Sequence, residues 1–340
     1  MRTEAFGTWL SLRAYAAVTS TLFGARTPPL TMRRRFERYG ATSRERLLRR
    51  HPGLVFADHP VGGLPMESVC AVEAPGRTIL YLHGGAFVMG SPTSYRSRAA
   101  RVSYRCQAEA FVPDYRLAPE HPYPAALDDA LAAWRHVRSL RRGPLFVAGD
   151  SAGGGLALSL LLRLRDAGEP APDGAVLLSP WVDLTVPSGS EPPRDLWFTK
   201  DHLRHWARIY AGGADPRDPN ISPVHAELSG LPPFLLLLGE DELLAEEGRR
   251  LFRRARDAGT DARLLVGQGM QHDWPLTLPW LRESRRAWAE IGAFVAERAS
   301  TNGRDRTAAR RSRPGQADAE VLVPDTAGQG PGTGFLEGGV

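Results

Sequence analysis

Serine, histidine and carboxylate side chains stand in this chain where together they could activate a hydroxyl. The segment VAGDSAGGG (147–155) contains Gly149-Asp150-Ser151-Ala152-Gly153, a G-x-S-x-G match. It joins an apolar run, PLFVAG (144–149), to an Ala- and Leu-rich run from Ala152 to Ala167. The first predicts a strand and the second a helix. A serine on so sharp a turn takes strained backbone angles, and glycines two residues to either side leave room for it. Its hydroxyl then stands clear at the carboxyl end of the sheet. The N–H of Ala152 and the helix N-terminus add positive potential there. Glycine and serine are common, so the pattern alone is permissive; its setting makes Ser151 a candidate nucleophile.

A second glycine loop, HGGAF (His83–Phe87), directly follows the apolar run TILYL (78–82). A tetrahedral oxyanion needs backbone donors already in place, and consecutive glycines let the chain turn N–H groups inward. The expected donors are Gly84, Gly85, Ala86 and Ala152. Ala86 carries no chemical penalty, because the donor is backbone. His83 is expected to anchor the loop, not to act as a base.

A serine hydroxyl needs a base, and the base needs an orienting carboxylate. Behind a strand-elbow nucleophile the chain order is serine, acid, histidine. FLLLLG (234–239) is followed by EDELL, and ARLLVG (262–267) by QGMQHDW. His272 is the only histidine after His225 and is the expected base. Asp241 is the expected acid, with Glu242 as the contender. The other nearby carboxylates, Glu240, Glu246 and Glu247, have a plainer reading as negative charge at a helix N-terminus.

These residues need a frame. Buried-strand runs at 78–82, 110–115, 144–149, 175–180, 234–239 and 262–267 alternate with helical stretches at 123–140, 152–167, 244–259 and about 281–298. That alternation predicts an α/β fold, a doubly wound, mostly parallel sheet covered on both faces. Residues 1–55 read as N-terminal helices covering the core, 56–299 as the catalytic domain, and 185–223 as an inserted cap rich in aromatics (Trp197, Phe198, Trp206, Tyr210). Residues 300–340 have no periodicity and read as a disordered tail.

The 340 residues carry a net charge of +5, and Lys200 is the only lysine. Arginines cluster near the front (Arg33–Arg35, Arg44–Arg50) and in the tail, which a solvated helix face and a disordered segment explain better than a nucleic-acid surface. Two cysteines, Cys70 and Cys106, make no disulfide framework. No Cys/His metal cluster is visible. No apolar run spans a membrane, and Glu4 and Arg13 interrupt the front segment, which reads as an amphipathic helix and not a signal peptide. Cytoplasmic residence is the default expectation; a homodimer is compatible with the sequence.

HGGAFVMGS, DYRLAPEHPYPAALDD (114–129), GDSAGGGLAL, SPWVDLT (179–185), GEDELL and GMQHDW, in that order, resemble the bacterial hormone-sensitive-lipase-like family of α/β-hydrolases. SPWVDLT and the 212–233 stretch are similar to its acetyl-hydrolase and lactone-hydrolase branch. The resemblance implies an α/β-hydrolase fold with a helical cap, a small-molecule ester as substrate with short-chain acyl groups, and no cofactor. The family's acid often lies in D-P-L; here it is Asp241-Glu242-Leu243, which keeps Glu242 in play. Asp183, and Asp114, Arg116 and Glu120, are expected to be structural. An N-acetyl deacetylase or a lactone hydrolase would use the same machinery. A non-catalytic ligand-binding protein on this fold usually lacks part of the triad, whereas all three members are present here.

Overall fold

The computed structural model describes residues 27–73, 75–141, 143–187, 195–301 and 319–322. The expected helix within residues 1–26 lies outside the described residues. Nine strands form one sheet: β1 (Val55–Asp58), β2 (Met66–Cys70), β3 (Thr78–Leu82), β4 (Glu109–Pro113), β5 (Leu145–Asp150), β6 (Gly174–Leu178), β7 (Phe234–Gly239), β8 (Ala262–Gly267) and β9 (Ala319–Leu322). Their order is β1-β2-β4-β3-β5-β6-β7-β8-β9. β2 is antiparallel to both neighbours, and every pairing from β4 onward is parallel.

Parallel strands buried on both faces must be apolar throughout. In β7, Phe234, Leu236 and Leu238 join one core, while Leu235 and Leu237 join the other. β5 alternates in the same way, with Leu145 and Val147 on one side and Phe146 and Ala148 on the other. Helices α4 (Ala125–Leu140) and α5 (Ser151–Asp166) cover the first face. Helices α3 (Pro92–Cys106) and α9 (Arg282–Thr301) cover the second. The doubly wound α/β-hydrolase fold is therefore as expected.

The order reverses between β3 and β5. β3 leads outward to β4, and β5 leads the other way to β6. Loops leaving the carboxyl ends of β3 and β5 therefore diverge and open a crevice. HGGAF leaves β3, and Ser151 leaves β5.

Two departures from the sequence reading have physical causes. β1 and β2 were not anticipated, because β2 hides a charge: Glu67 is 6% exposed and is held by Arg44 and Arg96. The tail was expected to be wholly disordered, yet Ala319–Leu322 adds a parallel edge strand to β8. β8 would otherwise end the sheet with a row of unpaired backbone groups, which another extended segment can satisfy. Among the described residues of 185–223 lies the α-helix α6 (Lys200–Ala211), closed at its start by Thr199 and at its end by Gly212 in the left-handed conformation.

Among the described residues, two short helices, α1 (Pro29–Gly40) and α2 (Arg44–Arg50), precede β1. Arg33 clamps α1 to the body. Its Nε donates to Val88 O at 3.1 Å, and its Nη2 donates to Ala118 O at 3.1 Å and to Glu120 at 2.9 Å. Glu120 is thus structural, as expected. Arg116 pairs with Asp129 at 2.8 Å, which fixes the turn between β4 and α4. Arg33→Met should speed proteolytic cleavage within residues 28–43 several-fold, while global stability changes by about 1 kcal/mol or less, since the ion pair is partly exposed. Limited proteolysis beside thermal melts checks this; an unchanged cleavage rate would contradict it.

Candidate active site

Ser151 has φ 52° and is the first residue of α5. Backbone strain of this kind in a non-glycine residue persists only when the surroundings enforce it. They do. A Cβ at Gly149 would meet Gly153 O, and a Cβ at Gly153 would meet Leu82 O and His83 O. Trp181 N–H donates to Ser151 O at 2.9 Å, which fixes the turn from the side of β6.

Asp150 ends β5 and is 2% exposed. Its Oδ1 accepts from Tyr81 Oη at 2.8 Å and from Gly84 N at 3.0 Å, and its Oδ2 accepts from Tyr95 Oη at 2.7 Å. Burial raises its pKa, against the lowering effect of the two tyrosine hydroxyls. The N–H of Gly84, one of the expected oxyanion donors, is committed to Asp150 in this structure. Gly85 and Ala86 border the cavity that Ser151 faces. Gly85, Ala86 and Phe87 take φ of 121°, 54° and 62°. Ala152, second in α5, lies in the first turn, whose N–H groups have no intrahelical acceptor.

His83 is fully buried, stacks on Tyr115 at 4.2 Å between centroids, and contacts Gly84 O through Nδ1 at 2.8 Å. Burial pulls its pKa to about 4. It is an anchor, as expected. Its ring resonances should not titrate between pH 8 and 5 by NMR; a midpoint near 6.5 would contradict this packing.

His272 follows β8 and is 4% exposed. Its Nδ1 lies 3.2 Å from Glu242 Oε2. Glu242, not Asp241, thus supplies the carboxylate facing the imidazole. Asp241 is half-buried, and its backbone N–H donates to Met270 O at 3.0 Å. The tight turn after β7 faces consecutive side chains in different directions, and Glu242 is 1% exposed. The other ring nitrogen, Nε2, lies 3.3 Å from Asp273 Oδ2. Burial lowers the His272 pKa, but the Asp273 charge, the Glu242 hydrogen bond and charge, and Asp195 outweigh it and raise the value to about 9.

The cap is bolted to this histidine. Asp195 accepts from the backbone N–H groups of Trp197 (2.7 Å), Phe198 (3.0 Å) and Leu243 (2.5 Å), and Leu196 N donates to Gln271 at 2.9 Å. Phe198 stands edge-on to the His272 ring at 5.2 Å. Ser151 and His272 open on one cavity of about 80 Å³, walled by Phe36 and Tyr39 of α1, Trp181, and Trp197, Phe198 and Trp206 of the cap. Asp150, Asp195 and Asp273 were missed from sequence. The fixed aspartate before Ser151, at a strand's last residue, was the available signal for the first; the other two are loop residues in no pattern.

Asp183 is 1% exposed and bonded to Thr185 and Arg250, a structural role as expected. Among the described residues no cluster of His, Cys, Asp and Glu could hold a metal ion, and no helix is long and apolar enough to cross a membrane.

With this geometry in view, kinship is informative. Residues 79–276 match the model of an α/β-hydrolase fold family. The chain belongs to that family. It is 41% identical over 240 residues to an acetyl-hydrolase of Streptomyces hygroscopicus, covering 69% of this chain and 80% of that one. It is 31% identical over 256 residues to an esterase of Acinetobacter venetianus, covering 74% and 84%. A solved esterase of the bacterial hormone-sensitive lipase family superposes with a TM-score of 0.76 at 33% identity, over 85% of this chain and 98% of the other.

Proposed function

We propose that this protein is a serine esterase in which Ser151, His272 and Glu242 form the catalytic triad and which prefers short acyl chains, acetyl above all. That it is a carboxylic ester hydrolase follows from its relatives. The observation that carries the triad is the 3.2 Å contact between His272 and the buried Glu242, at a cavity shared with a strained serine.

The reaction runs in two halves. His272 Nε2 takes the Ser151 Oγ proton as Oγ bonds to the ester carbonyl carbon. The oxyanion is stabilised by the N–H groups of Gly85, Ala86 and Ala152. Collapse expels the alcohol, which leaves with the proton from His272. Water then attacks the acyl-serine, gives its proton to His272, and the carboxylic acid departs as that proton returns to Ser151. Glu242 holds the imidazole tautomer and offsets the positive charge in both halves. The cavity of about 80 Å³, walled by Trp181, Trp197, Phe198 and Trp206, supports the short-acyl preference.

Ser151→Ala should cut kcat on p-nitrophenyl acetate by at least ~10³-fold. Glu242→Gln should cut it by at least ~10²-fold, while Asp241→Asn stays close to the unsubstituted enzyme. Collapse in Asp241→Asn with activity kept in Glu242→Gln would reverse the assignment of the acid. Across p-nitrophenyl esters, kcat/KM should fall by more than about tenfold from acetyl or butyryl to dodecanoyl; a rise with length would overturn the acyl preference.

A further inference from the structure

His272 carries a carboxylate on each ring nitrogen. Glu242 faces Nδ1, and Asp273 faces Nε2 at 3.3 Å. Nε2 is the nitrogen that must receive the Ser151 proton, so Asp273 stands where the nucleophile is expected to make its bond.

Several features show that this carboxylate is not spent on structure. Asp273 precedes the short helix α8 (Trp274–Thr277), yet its side chain makes no capping bond. Its backbone takes φ 54°, a left-handed turn uncommon for a residue with a side chain. That turn is fixed by a hydrogen bond from its N–H to Ser179 Oγ at 3.1 Å. The residue is 7% exposed and lines the cavity. Its Oδ1 is buried with no hydrogen-bond partner among the described residues. Burying an acid this way costs free energy unless something compensates, and the His272 imidazole stands 3.3 Å from its Oδ2.

We propose that Asp273 is a second positioning carboxylate of the catalytic base: it holds the imidazole from the Nε2 side and sets the pH at which His272 becomes free to accept the serine proton. This rests on His272 being the general base. The charged and titratable groups around the pair come from every neighbouring element. They are Asp150 at the end of β5, with Tyr81 and Tyr95 on it; Glu242 after β7; Asp195 from the cap; and Arg98 from α3. Burial and the charges of Asp150 and Glu242 raise the Asp273 pKa, while His272 and Arg98 lower it. Where both carboxyl groups are ionised, the imidazolium is held between them. As pH rises its Nε2 proton leaves, and the lone pair turns to Ser151.

The sign follows. A negative partner favours the charged imidazole, so removing it lets His272 lose its proton at lower pH. The test is the pH profile of kcat/KM on p-nitrophenyl acetate, beside the pH dependence of Ser151 phosphonylation by a p-nitrophenyl alkylphosphonate. In the unsubstituted enzyme the acid limb should have its midpoint above 6.5. In Asp273→Asn, in both assays, it should move down by about one pH unit or more. Asp273→Glu should return the limb toward its original place. Asp273→Gly, which suits the left-handed backbone, carries the expectation of Asp273→Asn should that variant fail to fold. An acid limb unmoved in the folded variant overturns the inference. If Ser151→Ala has lost turnover, an unmoved limb overturns this inference alone; if Ser151→Ala keeps turnover, the base assignment and this inference fall together.

Discussion

One buried carboxylate, Asp150, holds the site together. It is the last residue of β5, and its two oxygens accept from Tyr81 of β3, from Gly84 of the loop after β3, and from Tyr95 of α3. A carboxylate this deep keeps its place only with its lone pairs occupied. Satisfying it fixes three segments relative to the residue that follows it, Ser151. The arrangement also explains a glycine: a Cβ at Gly84 would collide with the Asp150 carboxylate. From Tyr95 the chain of contacts runs outward to Phe36 of α1, stacked at 6.2 Å. The same α1 is tied through Glu37 to Ser91, the N-cap of α3, at 2.9 Å. The N-terminal helices therefore register against the nucleophile through Asp150, not only through apolar burial.

The histidine side depends on a different set of bonds. The β7 turn brings Glu242 to Nδ1, and the β8 loop turns Asp273 to Nε2. Asp195 accepts from Leu243 N, and Leu196 N donates to Gln271. Residues 195–196 are thus tied to the segments that carry Glu242 and His272. Asp150 and Asp273 couple the two halves through their charges across the cavity.

Much of this was legible in the residues themselves. Buried parallel strands are continuous apolar runs, and β3, β5, β7 and β8 announce themselves so. Ser151 and His272 follow because each sits directly after such a run, where the fold places loops at the carboxyl end of the sheet. The sequence left Asp241 and Glu242 open because a strand predicts where a turn begins, not which of two adjacent acidic side chains faces inward; burial distinguishes Glu242 from Asp241. The bond from the Gly84 N–H to Asp150 was hidden for a related reason. Which N–H in a glycine loop stays open depends on a carboxylate 66 positions along the chain. β2 and β9 were invisible because one buries a glutamate against arginines and the other is a short run in a polar tail.

The central claim is that the Asp150-anchored elbow makes Ser151 the nucleophile, activated by His272. Incubation of the full chain with p-nitrophenyl methylphosphonate ethyl ester, followed by intact and peptide mass spectrometry, tests it most directly. The account predicts one equivalent of p-nitrophenol released and one phosphonyl adduct, on the peptide at Ser151. No adduct, or an adduct on any other residue, would contradict it.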